Sequence, residues 1–283
     1  MVARIVITGA GGQVGRLLAG AADRRGYQVS ACTHAELDIT DRAAVDSHIR
    51  TNDLVVNCAA VTNVDDAEAD PDAAFAINAA GPGNLAAACA GVDARLIQIS
   101  TDYVFSGDAG RPYEISDATC PLSVYGRSKL GGESAVLAAL PGAHIVRTSW
   151  VYTGGSGTDF VAVMRKLAAT DRVIDVVDDQ IGSPTYAVDL VRALLEIAAG
   201  DVRGPILHVA NEGAISRCEQ ARAVFAELGA DPERVRAVGT VDVPRPARRP
   251  MYSALSMTES VRAGLTPLRP WRDALVEALA APL

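Results

Sequence analysis

In the first half of the chain, short apolar runs alternate with stretches whose apolar positions recur at helical spacing. The runs at Arg4–Thr8, Gln28–Cys32, Leu54–Ala59, Arg95–Ser100 and His144–Thr148 are predicted as strands. The stretches Gly12–Arg24, Arg42–Arg50, Pro71–Asn78, Gly81–Ala90 and Tyr125–Ala138 are predicted as helices. Cys120-Pro121-Leu122-Ser123 supplies a turn and a cap for the last of these. Strand and helix in regular alternation is the rhythm of βαβ units. It implies a Rossmann-like, doubly wound parallel α/β sheet whose ligand sits beyond the carboxyl ends of the strands.

After Val151 the rhythm loosens. Gly154-Gly155-Ser156-Gly157 reads as a flexible loop, followed by a helix near Phe160–Ala168, and Pro184–Ala199 holds another helix starting near Tyr186. Pro205–Asn211 reads as a strand, Ser216–Leu228 as an amphipathic helix and Trp271–Ala280 as a terminal helix. The segment Val243-Pro244-Arg245-Pro246-Ala247-Arg248-Arg249-Pro250 cannot be regular structure, because proline fixes φ and removes donors. The expected organisation is a dinucleotide-binding domain over residues 1–150 and a smaller, loop-rich substrate lobe over 151–283. Part of 172–200 is expected to pack back on the first domain.

Bulk properties narrow the function. A chain of 283 residues, 49% apolar and 21% charged, can bury a substantial core. No apolar stretch approaches the ~18 residues of a membrane span. The glycine turn follows the first strand too closely for a signal peptide, so a cytoplasmic location is expected. A net charge of −8 without a basic stripe argues against a nucleic-acid partner. The five cysteines are scattered without a C-x-x-C pair, which fits reduced thiols. The four histidines lack metal-ligand spacing, and Glu196 with Glu277 is too little to claim a metal.

Two signals about 110 residues apart carry the chemistry. Gly9, Gly12 and Gly15 follow the first strand in a G-x-x-G-x-x-G spacing and open a helix. Such a turn lets backbone approach a pyrophosphate, and the free N–H groups and dipole at a helix start favour phosphate. Tyr125 and Lys129 stand four apart and so share one helix face. A phenol ionises near pH ~10, and a neighbouring ammonium lowers that value towards what acid–base catalysis needs. Taken alone, either signal arises by chance; at opposite ends of one α/β pattern they reinforce each other. Two more clusters end predicted strands: Asn57-Cys58-Ala59-Ala60-Val61 and Ser100-Thr101-Asp102-Tyr103-Val104-Phe105. Small alanines in the first allow a ribose close to backbone, and the second sets hydroxyl and carboxyl groups where a ligand must meet them.

Together, Thr8-Gly9-x-x-Gly12-x-x-Gly15, Asn57-Cys58-Ala59-Ala60, Ser100-Thr101-Asp102 and Tyr125-x-x-x-Lys129 resemble an extended short-chain dehydrogenase/reductase. Tyr125-Gly126-Arg127-Ser128-Lys129-Leu130-Gly131-Gly132-Glu133, Arg147-Thr148-Ser149-Trp150, Asp179-Gln180-Ile181-Gly182-Ser183-Pro184-Thr185 and Arg249-Pro250 are similar to the dTDP-4-dehydrorhamnose reductase family. This resemblance implies NAD(P)H-dependent reduction of the 4-keto group of dTDP-4-dehydro-L-rhamnose, giving dTDP-L-rhamnose for bacterial cell-surface polysaccharide. Tyr125 would donate the proton. Lys129 would hold the nicotinamide ribose and depress the tyrosine pKa, and Thr101 would bond the developing alkoxide.

By the same resemblance, Gly9, Gly12, Gln13, Val14 and Gly15 would contact the pyrophosphate. Asp38 and Ile39 would meet the adenine, although Asp38 can equally cap the following helix. Ala59, Ala60 and Val61 would border the ribose. Asp102 would orient the sugar, Trp150 would pack on it, and one arginine among Arg245, Arg248 and Arg249, with Arg249 the nominee, would take the diphosphate. Thr33 and His34 offer neither an acid for a 2′-hydroxyl nor an arginine for a 2′-phosphate, so NADPH is the expected cofactor with NADH also admitted. The expected assembly is a monomer or homodimer. Two other readings stay open: a reductase or epimerase for another nucleotide-linked deoxysugar, and a non-catalytic NADP-binding regulatory subunit.

Overall fold

Alternation within the central strands decides how the sheet is covered. Ile5 and Ile7 of β1 (Arg4–Thr8) and Leu54 and Val56 of β3 (Asp53–Asn57) point to one face, while Val6 and Val55 point to the other. All six are at most 1% exposed, so both faces must be covered. In a computed structural model that describes residues 4–155 and 157–280, they are. Ser156, inside the expected glycine-rich loop, lies outside the described residues.

The central sheet has six parallel strands. From one edge the order is Ile206–His208, β5 (His144–Thr148), β4 (Arg95–Thr101), β3, β1 and β2 (Gln28–Cys32). Strand order reverses between β1 and β3, which opens a crevice at their carboxyl ends. Helix α1 (Gln13–Arg24) and the helix Ala187–Ala199 cover one face through Leu18, Leu190 and Leu194. Leu85 of Gly81–Val92 and Val136 of Val124–Ala139 cover the other. Each fully buried leucine or isoleucine in these layers contributes about 1.5–3 kcal/mol of burial.

The rest of the second half builds a smaller body around its own core of Tyr152, Val161, Met164, Val224, Phe225 and Leu275. Three two-stranded pieces thread it, and the strands Ile174–Val177 and Val235–Val238 pair in parallel without a prior sequence signal. Among the described residues no helix is long and apolar enough to cross a membrane.

Candidate active site

A cleft of about 840 Å³ runs along the carboxyl ends of the strands. Its floor begins at the glycine turn. Gly9 has φ +62°, and a side-chain carbon there would meet the Ala59 nitrogen at 2.6 Å. Gly15 is equally constrained, because a Cβ would lie 2.6 Å from the Gly9 carbonyl oxygen. The absence of side chains thus brings β1, α1 and the loop after β3 together, with the start of α1 facing the cleft. Asn57 fixes that loop: its Oδ1 accepts the Ala59 N–H at 3.1 Å and the Thr8 hydroxyl, and its Nδ2 donates to Gln98 at 2.7 Å. From across the cleft Asp159 accepts a hydrogen bond from Gln13 at 3.1 Å.

At the outer end, Thr33, His34, Asp38 and Ile39 line the opening. Asp38 accepts from the backbone and hydroxyl of Thr40 at 2.9 and 2.8 Å, which hold its carboxyl below the usual range. The cap of the next helix is Asp41 instead, through Ala43 and Ala44.

Tyr125 and Lys129 lie on the inner wall, carried by the helix Val124–Ala139, which Ser123 caps at Gly126. Thr101 and Asp102 stand opposite at the end of β4. Thr101 is the neighbour whose side chain favours the ionised form of the Tyr125 phenol. Burial raises its pKa above the ordinary tyrosine value, and Lys129 is not among the groups acting on it. Here the structure departs from the expectation that the ammonium depresses the phenol. Lys129 Nζ instead donates to the Ile99 carbonyl at 2.6 Å. Burial pulls the lysine down to about 8, opposed by the negative charge of Glu133. The i,i+4 spacing does set both groups on one face, but dehydration dominates both.

Beneath Lys129, Glu133 accepts from the Ser100 hydroxyl and is gripped by Arg147 at 2.7 and 2.9 Å, with both side chains at most 4% exposed. Asp102, also buried, accepts from Thr101 at 3.0 Å and Ser149 at 3.1 Å. Its carboxyl pKa is raised by burial, against these bonds.

Trp150 closes the substrate end. Its φ of +49° is unusual for a bulky residue and marks local backbone strain. A Cβ on Gly182 would sit 2.4 Å from its indole, so only glycine leaves room for the ring. On the ring lies the Arg217 guanidinium, 3.5 Å from the centroid.

Of the residues singled out in the sequence, Gly9, Gly12, Gln13, Val14, Gly15, Asp38, Ile39, Ala59, Ala60, Thr101, Asp102, Tyr125, Lys129 and Trp150 all line this one cleft. Val61 and Arg249 do not. Val61 exchanges hydrogen bonds with Asn78 at 2.9 and 3.0 Å and packs behind the wall. Arg249 has its fork filled by Asp65 at 2.7 and 2.9 Å.

The sequence profile described as the RmlD substrate binding domain matches residues 3–282. The dTDP-4-dehydrorhamnose reductase of Mycolicibacterium smegmatis is 60% identical over 99% of this chain and 86% of its own length. The chain belongs to the dTDP-4-dehydrorhamnose reductase family. A crystal structure of a family member from Clostridium acetobutylicum superposes with a TM-score of 0.92 at 40% identity, covering 98% of both chains. Another, from Bacillus anthracis in complex with NADP, gives 0.91 at 35% identity, again over 98% of both.

Two residues that matter to this reductase-family cleft escaped the sequence reading. Asn78 sits in a π-helical turn, Ala76–Ala80, and ties the Val61 loop to Ser128 of the Tyr125 helix at 3.0 Å. An asparagine in a helical run is a poor helix former, the one hint available. Arg217 opens the helix Arg217–Glu227, where Ser216 and Glu219 form a capping box. That box was readable, but nothing nearby in sequence ties its arginine to Trp150.

Proposed function

We propose that this protein reduces the 4-keto group of dTDP-4-dehydro-L-rhamnose to give dTDP-L-rhamnose, using NADPH. One observation carries the reading: Thr101, Tyr125 and Lys129 converge on the cleft whose other end is the glycine turn. The cradle suits a dinucleotide, since Gly9 and Gly15 leave a bare backbone where any side chain would fill the space. Gly9, Gly12, Gln13, Val14 and Gly15 would hold the pyrophosphate, and Asp38 and Ile39 the adenine end. Ala59 and Ala60 would border the ribose, with Val61 supporting them from behind. Bound NADPH supplies the hydride.

Tyr125 supplies the proton to the carbonyl oxygen as that hydride arrives at the sugar carbon. A phenol kept above its ordinary pKa is fully protonated at neutrality, the state a donor needs. Giving up the proton then creates a phenolate in a buried place. Lys129, one helical turn away on the same face, holds the nicotinamide ribose beside the phenol. Thr101 turns the hydroxyl that it otherwise gives to Asp102 towards the same oxygen, and Asp102, still held by Ser149, accepts from a sugar hydroxyl. Trp150 walls the deoxysugar. Residues 1–150 chiefly serve the dinucleotide and 151–283 chiefly the sugar nucleotide.

The test is NADPH absorbance with purified protein and a panel of nucleotide-linked 4-keto sugars. Oxidation is expected with dTDP-4-dehydro-L-rhamnose and a dTDP-L-rhamnose product. NADPH binding without oxidation by any panel member would instead point to a regulatory role.

A further inference from the structure

Arg217 is a half-buried cation whose fork holds no carboxylate. Among the described residues no carboxylate lies within ion-pair distance of its guanidinium, and its side-chain hydrogen bond goes to the Gln220 amide at 3.2 Å. One face stacks on Trp150, and the Phe160 ring lies 4.8 Å away. Burial lowers its pKa to about 10, so it stays charged at neutral pH; Tyr103 and Asp102 oppose the shift from beyond ion-pair distance, and the charge of Arg249 adds to it. As the first residue of an 11-residue helix it also faces the positive end of that helix's dipole. Burial and the helix dipole work against a cation held for stability alone, while the stacking on Trp150 and the bond to Gln220 favour it.

Two of the proline-loop arginines are a contrast. Arg249 is neutralised by Asp65, whose carboxyl is held low by it, and Arg245 stands 3.9 Å from the same carboxylate. The fork of Arg249 is filled by a carboxylate, and that of Arg217 is not. Trp150 and Asp102 line the substrate end of the cleft, and both lie against or near Arg217. An anion entering beside Trp150 would meet a flat, pre-oriented donor fork whose rotamer is fixed by two aromatic faces.

We propose that Arg217, stacked on Trp150, is the residue that grips the diphosphate of the sugar nucleotide, and that Arg249 serves only to anchor its loop through Asp65. This rests on the reductase reading for its ligand, but the binding test does not depend on turnover. The experiment compares dTDP and thymidine by isothermal titration against wild type, Arg217→Gln and Arg217→Lys. Thermal melting and NADPH affinity are followed in parallel. Arg217→Gln is expected to weaken dTDP at least tenfold and leave thymidine within twofold. Arg217→Lys, which keeps the charge but loses the fork, should fall between. The wild-type dTDP affinity should decline with salt more steeply than that of Arg217→Gln. Unchanged dTDP affinity in a folded Arg217→Gln would overturn the assignment. So would an equal loss for dTDP and thymidine, which would mean that Arg217 acts only by propping Trp150. If Arg217 controls dTDP binding while no keto-sugar is reduced, the reductase reading falls and this assignment stands.

Discussion

The two ends of the cleft are built on opposite plans. At the end proposed for the dinucleotide, the surface is backbone: Gly9 and Gly15 remove side chains so that strands, helix start and loop can touch. At the end proposed for the sugar, the surface is made of charged and aromatic side chains brought from far apart in the chain: Asp102 and Trp150, with Arg217 stacked on the latter. The first plan is sensitive to added atoms and the second to removed charge. Between them Tyr125 and Lys129, proposed to do the chemistry, stand in a dry wall where dehydration sets the pKa of both.

The largest test of this contrast falls at the boundary. Tyr125→Phe keeps the wall's shape and removes its proton, so kcat should drop on the order of 10²–10⁴ while NADPH affinity is retained. An unchanged kcat would take Tyr125 out of the reaction. Lys129→Met comes next, and separates stability from activity. The lysine's folded pKa of about 8 lies below the ordinary 10.5, so the folded state carries a penalty near neutrality that is relieved only as pH rises through this window. Removing the amine should therefore raise stability at pH 7 by up to about 3 kcal/mol, seen in denaturant melts, and abolish reduction. In the wild type, turnover should decline above about pH 8 as the ammonium is lost.

Gly9→Ala probes the backbone end. With φ +62° and a backbone nitrogen 2.6 Å from the new methyl, it should cost about 1–3 kcal/mol and weaken NADPH at least tenfold by fluorescence titration. A neutral result would mean that the turn adapts freely. Asp65→Asn should do least. The Arg249–Asp65 pair is partly exposed, at 16% and 22%, so the loss should stay within about 1 kcal/mol by melting, and dTDP affinity should hold.

Legibility in the sequence follows the same division. Strands β1, β2 and β5 and the helices Phe160–Ala168 and Trp271–Ala280 fall at the predicted residues, because local apolar spacing alone decides them. β3 stops at Asn57 rather than Ala59, since the Asn57 side chain takes the Ala59 N–H that a ladder would have used. The run predicted as Pro71–Asn78 breaks at Phe75 into the π turn, a shift driven by the packing of Asn78 against Ser128. The helix Val64–Ala69 went unnoticed, although Asn63 as cap and Asp65 and Asp66 in the first turn were its signals. At the dinucleotide end every contributor sits in a short motif. Arg217 lies 67 positions beyond Trp150, and only folding reveals that they meet.

The strand Ile206–His208 has a practical outcome for anyone who wishes to divide this molecule. It supplies the outer edge of the central sheet, and the helix Ala187–Ala199 covers one face, though both come from the later half of the chain. A fragment cut at residue 150 would leave β5 with unpaired amides along one side and Ile7, Val56 and Val146 without Leu190 and Leu194 over them. Such a fragment should precipitate rather than persist as a miniature cofactor carrier. Chimaeras with a relative should therefore exchange the outer pieces around this returning segment and leave the segment itself in place.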